Sequence, residues 1–136
     1  MKKLLIATHN KHKLQEFRLV LEPLGIEVLG SDDVHIPDCD ETGTTFQENS
    51  LQKALWSMKH AQLPTLADDS GLCIHALDDA PGVFSARFAQ ENGGYEKTFK
   101  VIFDRLKKTK DWSAHFTCCL CLLLPQKSPC FLKVRF

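Results

Sequence analysis

The sequence predicts an α/β fold, a long mixed β-sheet flanked by helices, and two observations lead to it. Short apolar runs, typical of buried strands, alternate with amphipathic helical patterns along the chain. The longest apolar run, Cys118–Leu124, has the length of a buried strand and is too short to cross a membrane. With 136 residues, 43% of them hydrophobic and 25% charged, we expect a single domain over residues 1–136.

The N-terminal elements are predicted in the order strand, helix, strand. Lys3–Ala7 is an apolar run that predicts the first strand. The helix that follows is capped by Asn10, repeats apolar residues at spacings of three and four, and ends near Pro23–Gly25. Ile26–Leu29 predicts the second strand, and the acidic segment Gly30–Gly43 after it is predicted to be irregular.

The remaining elements continue this alternation. A capping box at Thr45–Glu48 predicts a second helix that runs to about His60. A short strand is predicted at Thr65–Ala67, and it continues at Leu72–Leu77 beyond a turn at Asp68–Gly71. A third helix is predicted at Glu96–Lys107, and a long strand at Ala114–Leu124.

Charge and cysteine content narrow the classes of function. Lys and Arg together number 17, as do Asp and Glu, so no net charge attracts nucleic acid or a membrane, and we expect neither as a partner. The start of the chain is too short and too soon polar for a signal peptide, which predicts a cytoplasmic protein. The six cysteines match no zinc-binding spacing, and we interpret them as reduced thiols.

The turn between the first strand and the first helix is the first candidate site. It contains Thr8, His9, Asn10, Lys11, His12 and Lys13. The N–H groups and dipole of a helix start favour an anion, and Lys13 adds a positive charge. The alternative is a solvated helix start with a capping Asn10, and spacing alone favours that alternative.

The start of the second helix is the second candidate. Asn49 and Lys53 are four residues apart and share a face, as expected for a phosphate clamp. Glu41, in the acidic segment just before, supplies an oxygen ligand of the kind that suits Mg²⁺. The alternative is an exposed helix face whose charges form salt bridges.

The third candidate is a pair of adjacent carboxylates, Asp68 and Asp69, at the predicted end of an apolar strand. Their side chains point to opposite faces, and burying them is costly unless a cation or hydrogen-bond donors compensate. A metal-binding or general-base role follows, and Gly71 allows the backbone to approach a ligand closely. The alternative is an Asx-type turn that joins two strands.

Together with a fourth segment, these sites resemble the inosine triphosphatase (Ham1-like) family. The matching strings are Ala7–Lys13, Thr42–Ser50, Leu66–Leu72 and Pro81–Phe88, in the order and spacing of the family. The resemblance implies a Mg²⁺-dependent pyrophosphatase that converts triphosphates of non-standard purines, such as dITP, ITP and XTP, to the monophosphate and pyrophosphate. It also implies a homodimer.

The resemblance assigns roles to individual residues. Thr8 to Lys13, with Asn49, would hold the triphosphate, Lys53 would neutralise phosphate charge, and Ser70 would touch the substrate. Glu41, or its neighbour Asp40, would ligate Mg²⁺ together with Asp69. Asp69 would also accept the proton of the attacking water, with Asp68 assisting.

The end of the sequence departs from the family pattern. The family continues with a Gly-Tyr-Asp-Pro-type motif and a Ser-His-Arg motif that hold the base, and this sequence ends at Phe136 without them. We therefore expect a C-terminally truncated member. The alternative function is a catalytically impaired remnant that binds a nucleotide or a partner.

Overall fold

The computed structural model describes residues 2–136, which form six strands and four α-helices. The strands are β1 (Lys3–Ile6), β2 (Glu27–Gly30), β3 (Thr65–Ile74), β4 (Ala80–Pro81), β5 (Ala114–Leu123) and β6 (Cys130–Arg135). The helices are α1 (Lys11–Leu21), α2 (Phe46–Ala61), α3 (Ser85–Glu91) and α4 (Tyr95–Leu106).

The strands form one mixed sheet in the order β2-β1-β3-β5-β6, with β4 paired to β3. β1 runs parallel to both β2 and β3, whereas β4 runs antiparallel to β3. The predicted α/β class with a mixed sheet is confirmed. The chain divides into two compact units, the first reaching Asp68 and including Cys119–Leu132, the second comprising Asp69–Cys118 and Lys133–Phe136.

In the first unit the two faces of the strands carry different helices. The apolar stripe of α1, including Leu14 and Phe17, packs against Leu4, Ile6 and Val28. The other cluster joins α2 to the strands and consists of Ala7, Leu51, Ala54, Met58, Ala67, Cys121 and Leu123. Neighbouring strand residues thus belong to opposite clusters, as the two-residue period of a strand requires.

The second unit is built around Ile74, Ile102 and Leu106, which place the apolar face of α4 against the end of β3. Gly71 is required here by close approach, because a Cβ at this position would collide with the carbonyl oxygen of Gly82. This close approach is between two backbone segments of the protein rather than with a ligand.

The predicted break of the strand at Asp68–Gly71 is wrong. β3 continues through these residues for ten positions, so Asp68 and Asp69 lie inside a strand and not at its end. The strand continues because Gly71 admits the neighbouring backbone and Lys13 compensates the charge of Asp68. The pairing of β3 with β1 stops at Leu66, and Asp68 therefore lies just beyond the end of β1.

Three elements were not predicted, the short helix α3 and the strands β4 and β6. None of the six cysteines forms a disulfide within residues 2–136. Among the helices of residues 2–136, none combines the length and apolar character that a membrane span requires.

Candidate active site

The turn that follows β1 is held by its own side chains. Asn10 caps α1, as predicted, because its Oδ1 accepts hydrogen bonds from the backbone N–H groups of His12, at 3.0 Å, and Lys13, at 3.1 Å. The Asn10 N–H in turn donates to the Thr8 hydroxyl oxygen at 3.1 Å. An anion reaches the His12 and Lys13 N–H groups only by displacing the Asn10 side chain.

Lys13 extends from the first turn of α1 to the sheet. Its Nζ lies 2.8 Å from Oδ2 of Asp68, a carboxylate whose side chain is only 7% exposed. Burying a carboxylate without a cation is costly, so this ion pair is what allows Asp68 to lie in β3. The ammonium group has three N–H donors and keeps donors for a second anion.

His9 joins the same turn to the acidic segment. Its Nδ1 lies 2.7 Å from Asp32 and its Nε2 lies 3.1 Å from Asp38. A neutral imidazole has a single N–H, so both hydrogen bonds form together only when the ring is protonated. His9 therefore fixes two acidic residues next to the end of β1.

A cleft of about 350 Å³ opens at the carboxyl ends of the parallel strands β1 and β2. Its polar lining includes Thr8, His9, Asp38, Glu41 and Lys53. Ligands of open α/β sheets bind at this edge, where strand ends and helix starts meet. The predicted first and second candidate sites thus contribute to one cavity.

Lys53 and Glu41 form an ion pair inside this cleft, with Nζ and Oε1 separated by 3.1 Å. The side chain of Lys53 is 18% exposed and that of Glu41 is 33% exposed. Both groups are therefore desolvated in part, and both still face the cavity.

The acidic segment is fastened to α2 by hydrogen bonds. The Gly43 N–H donates to Oδ1 of the buried Asn49 at 2.7 Å, and a Cβ at Gly43 would clash with this oxygen. Trp56 Nε1 donates to the Pro37 carbonyl at 2.9 Å. Asn49 thus positions the segment that carries Glu41, a contact that its predicted role as a phosphate ligand did not include.

The predicted capping box of α2 forms with one change. The Thr45 hydroxyl accepts from the Glu48 N–H at 3.1 Å, as predicted. The Glu48 carboxylate instead accepts from the Thr44 N–H at 2.8 Å. These two bonds fix the point at which the acidic segment enters the helix.

Cys39 lies beside the Lys53–Glu41 pair, and the pKa of its thiol depends on the charges of that pair. Partial burial raises the pKa of the Cys39 thiol, and the negative charge of Glu41 raises it further. The positive charge of Lys53 acts in the opposite direction.

The structure brings some predicted residues together and leaves others apart. Thr8, His9, Glu41 and Lys53 line the cleft. Asn10 and Lys11 border a smaller cavity of about 240 Å³ beside α1. His12 and Asp40 are exposed, and of the two alternative metal ligands it is Glu41 that lines the cleft.

The remaining predicted residues belong to the second unit. Asp69 is buried, with 6% of its surface exposed, and Ser70 is half-buried. Both follow Asp68 within β3. Their predicted roles stay predictions.

Several lining residues were not predicted as site residues, among them Asp38, Trp56 and Ser57. Asp38 lies in the acidic segment, where nothing in the local pattern distinguishes it from its acidic neighbours. Trp56 and Ser57 line the cleft from α2. Their spacing of three and four residues after Lys53 places them on the same helix face, and this is the signal that could have identified them.

The fold and the cleft define an α/β protein with a polar cleft at the carboxyl ends of its first parallel strands. The chain belongs to the Ham1 family, whose model matches residues 4–134.

Relatives and solved structures agree with this assignment. The chain is 45% identical over 124 residues to a dITP/XTP pyrophosphatase of Exiguobacterium sp., covering 90% of this chain and 63% of the relative. It is 39% identical over 133 residues to the Mesorhizobium japonicum protein of the same name, covering 91% of this chain and 60% of the relative. A HAM1 protein from Coxiella burnetii superposes with a TM-score of 0.91 at 35% identity, over 100% of this chain and 71% of that one.

Proposed function

We propose that this protein is a Mg²⁺-dependent nucleoside-triphosphate pyrophosphatase that converts dITP, ITP or XTP to the monophosphate and pyrophosphate. The observation that carries the proposal is the cleft at the ends of β1 and β2, in which Lys53 faces Glu41 beside Thr8 and His9. The relatives named dITP/XTP pyrophosphatase support the substrate class.

Phosphate binding is assigned to side chains at the edge of the sheet. Lys53 offers a partly desolvated cation, which attracts a phosphate more strongly than a lysine in open water does. The Thr8 hydroxyl supplies a further donor. Lys13 adds a second cation that remains bonded to Asp68 through one of its three protons.

The donor set of the cleft fits Mg²⁺. Glu41 and Asp38 offer carboxylate oxygens, the ligands that this hard cation prefers. Mg²⁺ sites in phosphate-transfer enzymes take one or two carboxylates from the protein and the rest from phosphate oxygens and water, so two carboxylates suffice. By the family resemblance, Glu41 and Asp69 would hold the ion. When bound, Mg²⁺ offsets the negative charge that develops on the phosphate oxygens.

Water activation is assigned to Asp69 on the family resemblance and on the burial of its carboxylate. The Asp69 carboxylate takes a proton from water while the water oxygen bonds to the α-phosphorus. The bond that links the α- and β-phosphates breaks, and pyrophosphate leaves. Asp68, held by Lys13, assists as a fixed negative charge.

The proposal extends to the state and location of the protein. We infer a homodimer in the cytoplasm, as the family resemblance implies. The exposed apolar side chains Phe131 and Leu132 of β6 agree with association between copies of the chain. Light scattering on purified protein measures the mass directly.

The chain spans about 60% of the length of the curated relatives it matches. The activity of those relatives is therefore tested on this chain itself. Purified protein is incubated with dITP, XTP and dGTP in Mg²⁺, and pyrophosphate release is followed.

The matched variants are Asp69→Asn, which removes the proposed proton acceptor, and Asp104→Asn, which removes an exposed carboxylate of α4 that pairs with Lys107. We expect turnover of dITP and XTP above dGTP, lost in Asp69→Asn and kept in Asp104→Asn. Turnover that survives in Asp69→Asn contradicts the assignment of the base. If the unaltered chain and both variants bind dITP without turning it over, the alternative of a catalytically impaired remnant is supported instead.

A further inference from the structure

The second unit contains three potential metal ligands whose donor atoms converge. One nitrogen each from His75 and His115 and one carboxylate oxygen from Asp79 all lie within 4.8 Å of one another. The three residues come from positions up to 40 apart in sequence, since His75 follows β3 and His115 lies near the start of β5.

The backbone around these residues is fixed by hydrogen bonds. The His75 N–H donates to the Ser113 carbonyl at 3.1 Å, which ties the end of β3 to the residue before β5. Asp79 adopts the left-handed conformation, with φ of 62°, and its N–H donates to the Ile74 carbonyl at 3.0 Å. Asp79 is thereby returned to the same side of the turn as His75.

The distance between the two imidazoles suits a shared metal ion. Nε2 of His75 and Nδ1 of His115 are 3.1 Å apart. Two nitrogens at about 2.0–2.1 Å from a tetrahedral Zn²⁺ lie roughly 3.3 Å apart, so the pair needs little movement to bind one ion. Without an ion, one ring donates its proton to the other, and metal binding requires the donating ring to carry that proton on its other nitrogen.

We propose that His75, Asp79 and His115 form a binding site for one divalent transition-metal ion of the zinc class. Two imidazole nitrogens and one carboxylate oxygen favour Zn²⁺, Ni²⁺ or Cu²⁺ over Mg²⁺, which prefers oxygen ligands throughout. His75 and Asp79 are exposed and His115 is half-buried. Three protein ligands therefore leave a coordination position open to solvent, as in zinc sites that keep a water molecule.

This inference does not depend on the proposed hydrolysis, and its test measures metal binding alone. Zn²⁺ is titrated calorimetrically into the full chain and into His75→Gln, His115→Gln and Asp79→Asn. Asparagine tolerates the left-handed conformation, so Asp79→Asn removes the ligand charge with little backbone strain. The matched control is His60→Gln, which removes an exposed histidine of α2 bonded to the Trp56 carbonyl.

We expect one Zn²⁺ per chain, bound also in millimolar Mg²⁺. Loss of either histidine weakens the binding by more than about 100-fold, because even outer partners of metal ligands are worth roughly 10- to 100-fold. His60→Gln leaves the affinity unchanged. Binding that is absent, or that survives equally in all three ligand variants, overturns the proposal.

The exposed thiol of Cys130 is an alternative metal ligand. The absorption spectrum of bound Co²⁺ distinguishes ligation by this thiol from ligation by His75, His115 and Asp79. Ligation by His75, His115 and Asp79 gives visible bands without thiolate charge transfer, and Cys130→Ser leaves the spectrum unchanged. Thiolate charge transfer, or loss of the bands in Cys130→Ser, contradicts the assignment. This measurement on otherwise unaltered protein decides the matter even where a histidine variant fails to fold.

Discussion

Two lysine–carboxylate pairs in the first unit have similar chemistry and different surroundings. Lys13 and Asp68 are 2.8 Å apart, and the carboxylate lies inside β3 with 7% of its side chain exposed. Lys53 and Glu41 are 3.1 Å apart, and the carboxylate lies in an irregular segment with 33% exposed. One acid is fixed by a strand, and the other faces a cleft.

This difference in surroundings determines whether a charged side chain contributes mainly to folding stability or mainly to ligand binding. A buried carboxylate depends on its cation, because removal of the cation leaves an uncompensated charge away from water. A carboxylate at a cleft has water or a ligand as alternative partners, so its ion pair contributes little to folding. We therefore expect the Lys13–Asp68 pair to serve mainly stability, and the Lys53–Glu41 pair to serve mainly the proposed ligand.

The largest expected effect is on catalysis at the cleft pair. Lys53→Met removes the cation proposed to face the phosphates, and we expect pyrophosphate release to fall about 100- to 1,000-fold, the cost of removing one electrostatic contact to a transition state. Lys107→Met, which removes an exposed lysine of the second unit, is the control. A fall of less than tenfold in the rate of pyrophosphate release by Lys53→Met would show that Lys53 does not contact the phosphates.

The next effect is on stability at the strand pair. Lys13→Met leaves the Asp68 carboxylate buried without its cation. Because Lys13 itself is one-third exposed, we expect a loss of about 2 kcal/mol in the free energy of unfolding, below the roughly 3–5 kcal/mol of a fully buried pair. Glu41→Gln is expected to cost less than about 1 kcal/mol. Urea denaturation measures both, and the reverse order contradicts the comparison.

The sequence predicted the members of both pairs and could not predict the difference between them. Lys13 and Lys53 were candidates from their helix positions, and the family resemblance assigned them to phosphate binding. The pairing of Lys13 with Asp68 depends on β3 continuing beyond Ile6, the last residue of β1, and this is a property of sheet register. Local pattern does not specify register, so the break predicted at Asp68–Gly71 was wrong.

The better predictions were those that depend on local chemistry. The Asn10 cap and the Thr45 cap follow from residues three or fewer positions away, and both form. Asn49 shows the limit of such reasoning, since its partner Gly43 lies in an irregular segment whose path is set by contacts with α2. Likewise α3 lacks a side-chain cap, so no local signal marked its start.

A smaller effect is expected where the first candidate site is held by its own cap. Asn10→Ala removes the acceptor of the His12 and Lys13 N–H groups, and we expect a loss of about 1 kcal/mol. Asn10→Asp keeps the acceptor and should retain most of the stability. Thermal unfolding of the two variants compares them, and equal losses would show that the cap contributes nothing.

The smallest effect is a change in the reactivity of Cys39. The pKa of its thiol depends on the Lys53–Glu41 pair, and we expect it not to depend on the Lys13–Asp68 pair. Burial and the Glu41 charge raise its pKa, and Lys53 opposes them. Glu41→Gln should therefore lower the pKa and speed alkylation at neutral pH, and Lys53→Met should slow it. Mass spectrometry resolves the Cys39 peptide. Lys13→Met is the control, and a change of rate there would contradict separate surroundings for the two pairs.

The most direct test of the account is a phosphorus NMR spectrum of dITP incubated with the purified chain and Mg²⁺. We predict equal amounts of pyrophosphate and nucleoside monophosphate, formed only with Mg²⁺ and lost in Lys53→Met. Release of inorganic phosphate with nucleoside diphosphate, or product formation that is unchanged in Lys53→Met, would contradict the assignment of this cleft to pyrophosphate release.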